Sequence, residues 1–305
     1  MEPSTARSPL PPGRMGLPLL GETLAFAKNP FRFIDERLAA HGNVFRSHVL
    51  GRPTVVIAGP DATGHFIDPE RVMREGSMPP HIQELFGGRS LPLLDGEAHR
   101  ARKILVLQGL SREAVAAFLP TMQALVEDAF ERWTGQGEIR WLEELKQLAI
   151  KVICRTVIGM EPGEEMESLR RDYATVTGAF SALPIPLPGT RYSRAMQARD
   201  RILAALTRRV KERRANPADD GLNRILEART AAGETISDEE AVLELHHVVI
   251  AGYIVFAELA STVQQLTAHP DVLERLREEV RRLARGKGRG LSPGREGRGR
   301  PEWPW

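Results

Sequence analysis

The sequence predicts a mainly α-helical fold with a small β-hairpin region near its N-terminus. Three observations carry that prediction. From Asp61 onward, apolar residues recur at three- and four-residue spacing in one segment after another. One segment, opened by the capping box Ser237-Asp238-Glu239-Glu240, runs without a breaker to His269, just before Pro270. Only two short runs, Val44 to Leu50 and Thr54 to Ala58, are rich in β-branched residues, and Gly51-Arg52-Pro53 between them reads as the turn of a hairpin.

Taken in order, Pro11-Pro12-Gly13 to Gly21 reads as an extended lead-in, because proline fixes φ and glycine permits turns without a helical ladder. Asn29-Pro30 precedes Phe31, Phe33, Ile34 and Leu38 at helical spacing, and Gly42 closes that helix. After the hairpin, helices are expected over 61–67, 97–109, 111–134, 141–158, 164–181, 191–215 and 221–232. The central helix, about 237–269, would be roughly 48 Å long at 1.5 Å per residue. Its middle, Leu243 to Val263, is apolar on almost every face, so it should cross the protein interior. A last amphipathic helix runs from Pro270 to about Ala284, so residues 1–284 are read as the N-terminal two-thirds of a single domain. Residues 285–305 are almost all Gly, Arg, Pro and Lys, close on Trp303-Pro304-Trp305 and lack apolar periodicity; a disordered, out-of-frame tail is expected there.

With 305 residues, 42% hydrophobic and 27% charged, the chain can bury a sizeable core. The formal charge of +2 is too small to imply a nucleic-acid surface, and no nucleic-acid partner is expected. No run approaches roughly 18 consecutive apolar residues and the N-terminus lacks a signal-peptide core, so the expectation is a cytoplasmic protein with no transmembrane segment. The single cysteine, Cys154, excludes an intramolecular disulfide and a cysteine-built zinc site. Glu244-x-x-His247 has the spacing of half a di-iron site, but no second copy appears, and a packed histidine is the plainer reading.

Several stretches, in order, resemble the cytochrome P-450 family, especially soluble bacterial members akin to retinoid- and sterol-type hydroxylases. They are Pro11-Pro12-Gly13 to Gly21-Glu22-Thr23, His41-Gly42-Asn43-Val44-Phe45 with Gly51-Arg52-Pro53-Thr54-Val55-Val56, Gly96-x-x-His99-Arg100-x-x-Lys103, Leu183 to Thr190 with Ala198-Arg199, and Ala251-Gly252-Tyr253. Gly290-Leu291-Ser292-Pro293 resembles the family's next loop. The resemblance implies a P-450-like helical core, a haem-dependent monooxygenase, a hydrophobic small-molecule substrate and a ferredoxin or flavodoxin-type electron donor.

The implied chemistry has four requirements. Haem propionates need cations, and His99 and Lys103, four apart on one helical face, fit that role; the alternative is a solvated basic patch with Arg100 and Arg102. Close approach to the porphyrin needs small residues, which Ala251 and Gly252 supply; the alternative is helix packing. Proton delivery to bound oxygen uses an acid and a threonine at positions held here by Ile254 and Val255, neither of which can relay a proton, and Glu258, one turn on, reads as a surface glutamate. The iron needs an axial thiolate from a C-terminal cysteine loop, and the chain holds only Cys154, on an apolar helical face where an inert buried thiol is expected. Glu278-Glu279-Val280-Arg281 spells the family's Glu-x-x-Arg but falls one helix early, where an i, i+3 ion pair explains it. The expectation is a truncated or frameshifted family member, inactive alone; the alternative is a haem-free helical protein that binds an apolar ligand or partner chain.

Overall fold

The computed structural model describes residues 10–18 and 20–286, so the expected tail from 287 onward, with Gly290-Leu291-Ser292-Pro293, lies outside the described residues. In chain order the elements are α1 (Thr23–Lys28), α2 (Pro30–His41), β1 (Val44–Val49), β2 (Arg52–Ile57), α3 (Pro60–Phe66), α4 (Pro80–Leu85), a 3-10 turn (Leu91–Leu93) and α5 (Gly96–Gln108). There follow α6 (Arg112–Thr134), α7 (Trp141–Ile153), a one-turn π segment (Cys154–Ile158), α8 (Glu164–Gly178), α9 (Arg191–Ala215), α10 (Gly221–Glu227), α11 (Asp238–Ala268) and α12 (Pro270–Gly286). The fold is mainly helical with one small sheet, as the sequence predicts. The described residues fall into two compact units, one up to residue 79 with 93–99, the other 80–92 with 100 onward.

In the first unit, Asn29 caps α2 by accepting a 2.9 Å bond from the Arg32 amide, and Pro30 occupies the first turn, where its missing N–H costs nothing. β1 and β2 are antiparallel, with Val44 opposite Ile57 and Val49 opposite Arg52. The turn is therefore Leu50-Gly51, not Gly51-Arg52-Pro53. A two-residue hairpin loop matches the strand twist when both its residues have positive φ, and Leu50 and Gly51 sit at 55° and 74°. Thr23 Oγ1 accepts the Leu50 amide at 2.9 Å, which helps hold that unusual leucine. Phe33, Phe45, Val49 and Leu93 are the buried apolar residues of this unit.

The second unit is built around α11. Ser237 and Glu240 form the reciprocal capping box, at 3.2 Å and 3.0 Å, so the helix starts where the sequence places it. The helix packs on α7 and α9, and its first half lies within a core that includes Leu105, Ile150, Tyr173, Ile202, Leu206, Leu245 and Val249. By length and composition α11 is also apolar enough to cross a bilayer, but its N-terminal half lies inside the protein core. The predicted helix over 221–232 ends at Glu227, because Ala228 is extended and Thr230 to Glu234 closes a turn through Thr230 N–H to Glu234 C=O at 3.0 Å. In α12, Arg281 pairs with Glu274 at 3.1 Å, two turns away, rather than with Glu278.

Candidate functional site

The sequence treats Arg102 as one member of a basic patch; the structure removes it from solvent. Only 11% of its side chain is exposed, and it bonds to Glu240 and, at 3.0 Å, to the fully buried Glu244 on α11. Glu244 also accepts the Leu91 amide at 2.8 Å and faces His247 Nδ1 at 3.3 Å. A carboxylate in an apolar interior is tolerable only when its lone pairs are filled, and here an arginine, an amide and an imidazole fill them. The histidine of Glu244-x-x-His247 thus has a carboxylate neighbour, and no group of three or more His, Cys, Asp or Glu that could hold a metal occurs among the described residues.

The adjacent His246 is fully buried. Its Nε2 donates to the Leu85 carbonyl at 2.8 Å, which leaves Nδ1 free to accept from the Tyr173 hydroxyl at 3.3 Å, and the two rings stack at 5.6 Å. Burial, opposed by the Leu85 bond, pushes the His246 pKa down to about 4, with the charges of Arg199 and His247 adding to the fall. Together His246 and Glu244 tie both ends of the 85–91 stretch to the long helix. Arg199 of α9 reaches the same stretch, donating to the Glu84 carbonyl at 2.9 Å, while Tyr192 donates to the Glu84 carboxylate. Phe86, held between these anchors, stacks on Phe180 at 5.6 Å and leans on His247 at 6.4 Å. The result is an aromatic corner with one polar group, His247, a common composition for a small-molecule site. Beyond Phe180, Thr190 caps α9 by accepting the Ser193 amide, and Leu183 and Leu187 on the intervening loop are exposed.

The remaining predicted residues are distributed as follows. His99 is half-buried and Lys103 exposed, both on α5; Lys103 makes no ion pair among the described residues. Ala251 is exposed on α11, and Ile254 and Val255 are each 46% exposed on the same helix. Gly252 faces α7, where an added Cβ would lie 2.8 Å from Ile153 Cδ1, so close helix packing accounts for its size. Glu258 is exposed, as expected of a surface glutamate. Cys154 is fully buried in the π segment, and burial pushes its thiol up to about 12. The Arg102–Glu240–Glu244 network and His246 escape sequence reasoning. Acids at 240 and 244, one turn apart in an otherwise apolar stretch, were the available signal, since such carboxylates need partners.

The sequence profile of the cytochrome P450 family matches residues 11–293, nearly the whole chain. The chain belongs to that family. Among curated P450 relatives, cytochrome P450 90A4 of Oryza sativa subsp. indica is 33% identical over 93% of this chain and 61% of its own length. Abscisic acid 8'-hydroxylase 1 of Arabidopsis thaliana is 27% identical over 94% of this chain and 62% of its own. Among solved P450 structures, the retinoic acid-bound cyanobacterial CYP120A1 superposes with a TM-score of 0.78 at 29% identity, covering 89% of this chain and 63% of that one. The chain thus spans about three-fifths of the length of these P450 relatives. Against the cofactor that the P450 family implies, the residues present fit unequally. Ala251, Ile254 and Val255 form an open apolar helix face, and Lys103 is a cation with no ion pair among the described residues. No residue fits the axial position: the only thiol is sealed in the core and held protonated.

Proposed function

We propose that this chain forms the substrate side of a haem-dependent P450 monooxygenase acting on a hydrophobic small molecule, and that it is inactive alone. The observation that carries the proposal is the pairing of an open apolar face on α11, next to the Phe86–Phe180–His247 corner, with a sole cysteine that cannot ligate iron. Residues 1–284 would be one part of a P450 domain, with His99 and Lys103 of α5 toward the haem propionates and Ala251 along the distal surface, where Gly252 would let the helix lie close to α7. When held by a thiolate from elsewhere, haem would supply the oxygen chemistry. Within this chain, Phe86 and Phe180 offer flat apolar contact area to a substrate, and His247 offers it one polar atom. Ile254 and Val255 carry no group that could hold or pass a proton, so these two positions would offer no side-chain relay. The bound retinoic acid of the cyanobacterial relative supports a long apolar ligand. A ferredoxin or flavodoxin would be the electron donor and the cytoplasm the compartment.

The test is the absorption spectrum of the purified chain after haem addition, reduction and carbon monoxide. No red-shifted thiolate-type Soret band is expected. Its appearance would show that Cys154 becomes available as a ligand and would overturn the assignment. A chain that takes up no haem yet still binds a fluorescent fatty acid would instead match the second reading, a haem-free protein that kept the apolar site; the burial of Cys154 favours it equally.

A further inference from the structure

A cavity of about 290 Å³ in the first unit is lined by Arg14, Glu22, Glu36, Arg37, His41 and Arg46, together with an alanine. Its two carboxylates are already engaged. Glu36 pairs at 2.7 Å with Arg32, outside the lining, and Glu22 accepts from Ser47 at 2.6 Å and from Arg37 at 2.5 Å. Burial raises the Glu22 carboxyl, but the bonds from Arg37 and Ser47 and the charges of Arg37 and Arg14 outweigh it and hold the group ionised below its ordinary value. Among the described residues neither Arg14 nor Arg46 has an ion pair, and the Arg46 Nε is a buried donor with no partner at all. An unmet buried guanidinium N–H is costly, and native structures rarely keep one without a ligand or water to satisfy it.

The backbone brings these cations together. The Arg46 amide donates to the Pro12 carbonyl at 2.8 Å, and Gly13 bridges to Arg46. At Gly13, φ is 138° and a Cβ would lie 2.0 Å from the Arg46 carbonyl oxygen, so only glycine lets the segment carrying Arg14 run this close to β1. Guanidiniums from the lead-in, α2 and β1 therefore converge on one hollow from three directions. We propose that this hollow binds a phosphate group, whose several acceptor oxygens suit the Arg14 and Arg46 guanidiniums, set beside the Glu22-paired Arg37, better than a two-oxygen carboxylate does.

The experiment titrates the full chain with inorganic phosphate at constant ionic strength and follows binding by calorimetry, with acetate in parallel. Saturable binding near or below about 1 mM is expected for phosphate, weaker for acetate. Arg14→Gln, at an exposed position that should not disturb folding, and Arg46→Gln should each weaken it at least about tenfold. Lys28→Gln, an exposed cation outside the lining, should change nothing. Phosphatidic acid vesicles distinguish sources: capture of them, but not of phosphatidylcholine vesicles, and release by free phosphate would mark a lipid headgroup, while binding of inorganic phosphate alone would mark a soluble ligand. Absence of saturable phosphate binding, or an equal loss in Lys28→Gln, would overturn the site.

Discussion

The two halves of α11 belong to one unbroken helix, yet they solve different problems. From Ala241 to Ile250 nearly every side chain is buried, and the two fully buried polar residues, Glu244 and His246, are matched to Arg102, Leu91, Leu85 and Tyr173. From Ala251 onward the helix is mostly exposed, with Ile254, Val255 and Leu259 presenting 40–46% of their area. Apolar content alone does not separate the halves; what differs is how many faces are covered, since beyond Ala251 only the side carrying Gly252, Tyr253, Phe256 and Ala260 packs on neighbouring elements. The first half holds the fold together. The second is the surface that the proposed cofactor side of the family would use.

Substitutions should break this comparison in a graded way. Glu244→Ala takes away one of the two carboxylates that hold buried Arg102 and leaves the Leu91 amide unmet, and should cost about 3–5 kcal/mol, read as a fall in the urea midpoint. Leu245→Ala, at a fully buried site, should cost about 2–5 kcal/mol by the same measurement. Acid sharpens the contrast through His246. Its folded pKa, about 4, lies below the ordinary 6.5, so the unfolded chain binds the extra proton more readily. Stability should be at its full value above about pH 6.5 and fall as pH drops toward 4, by on the order of 3 kcal/mol. A His246→Gln chain should lose that slope. Val255→Glu in the open half should change stability by no more than about 0.5 kcal/mol and reduce self-association in sedimentation, because it interrupts an exposed apolar face.

Much of the fold was legible because its signals are local. The Ser237–Glu240 box, the Asn29-Pro30 start and the apolar periods of α5 to α9 each declare themselves within a few residues. Elements fixed by distant partners were not. α4 is only six residues long, and its neighbourhood is held by His246 and Arg199, which lie more than 100 positions away. The hairpin was placed correctly but its turn was not, since Leu50 takes a positive φ that its residue type disfavours. The candidate site divides the same way. Ala251, Ile254 and Val255 are expected from a resemblance and proposed as a ligand-facing surface, whereas the role of Arg102 depends on Glu240 and Glu244, some 140 positions along the chain, and looked like a surface charge. Glu278–Arg281 failed for a smaller reason: Glu274 lies on the same face of α12 and takes the arginine instead.

Amide hydrogen exchange along α11 tests the two-environment account most directly, because protection reports local opening residue by residue. Slow exchange is expected from Ala241 to Ile250, where opening needs the core to open, and markedly faster exchange beyond Glu258, where most side chains are exposed. Uniform protection from Ala241 to Ala268 would contradict it and would show that the second half is covered after all.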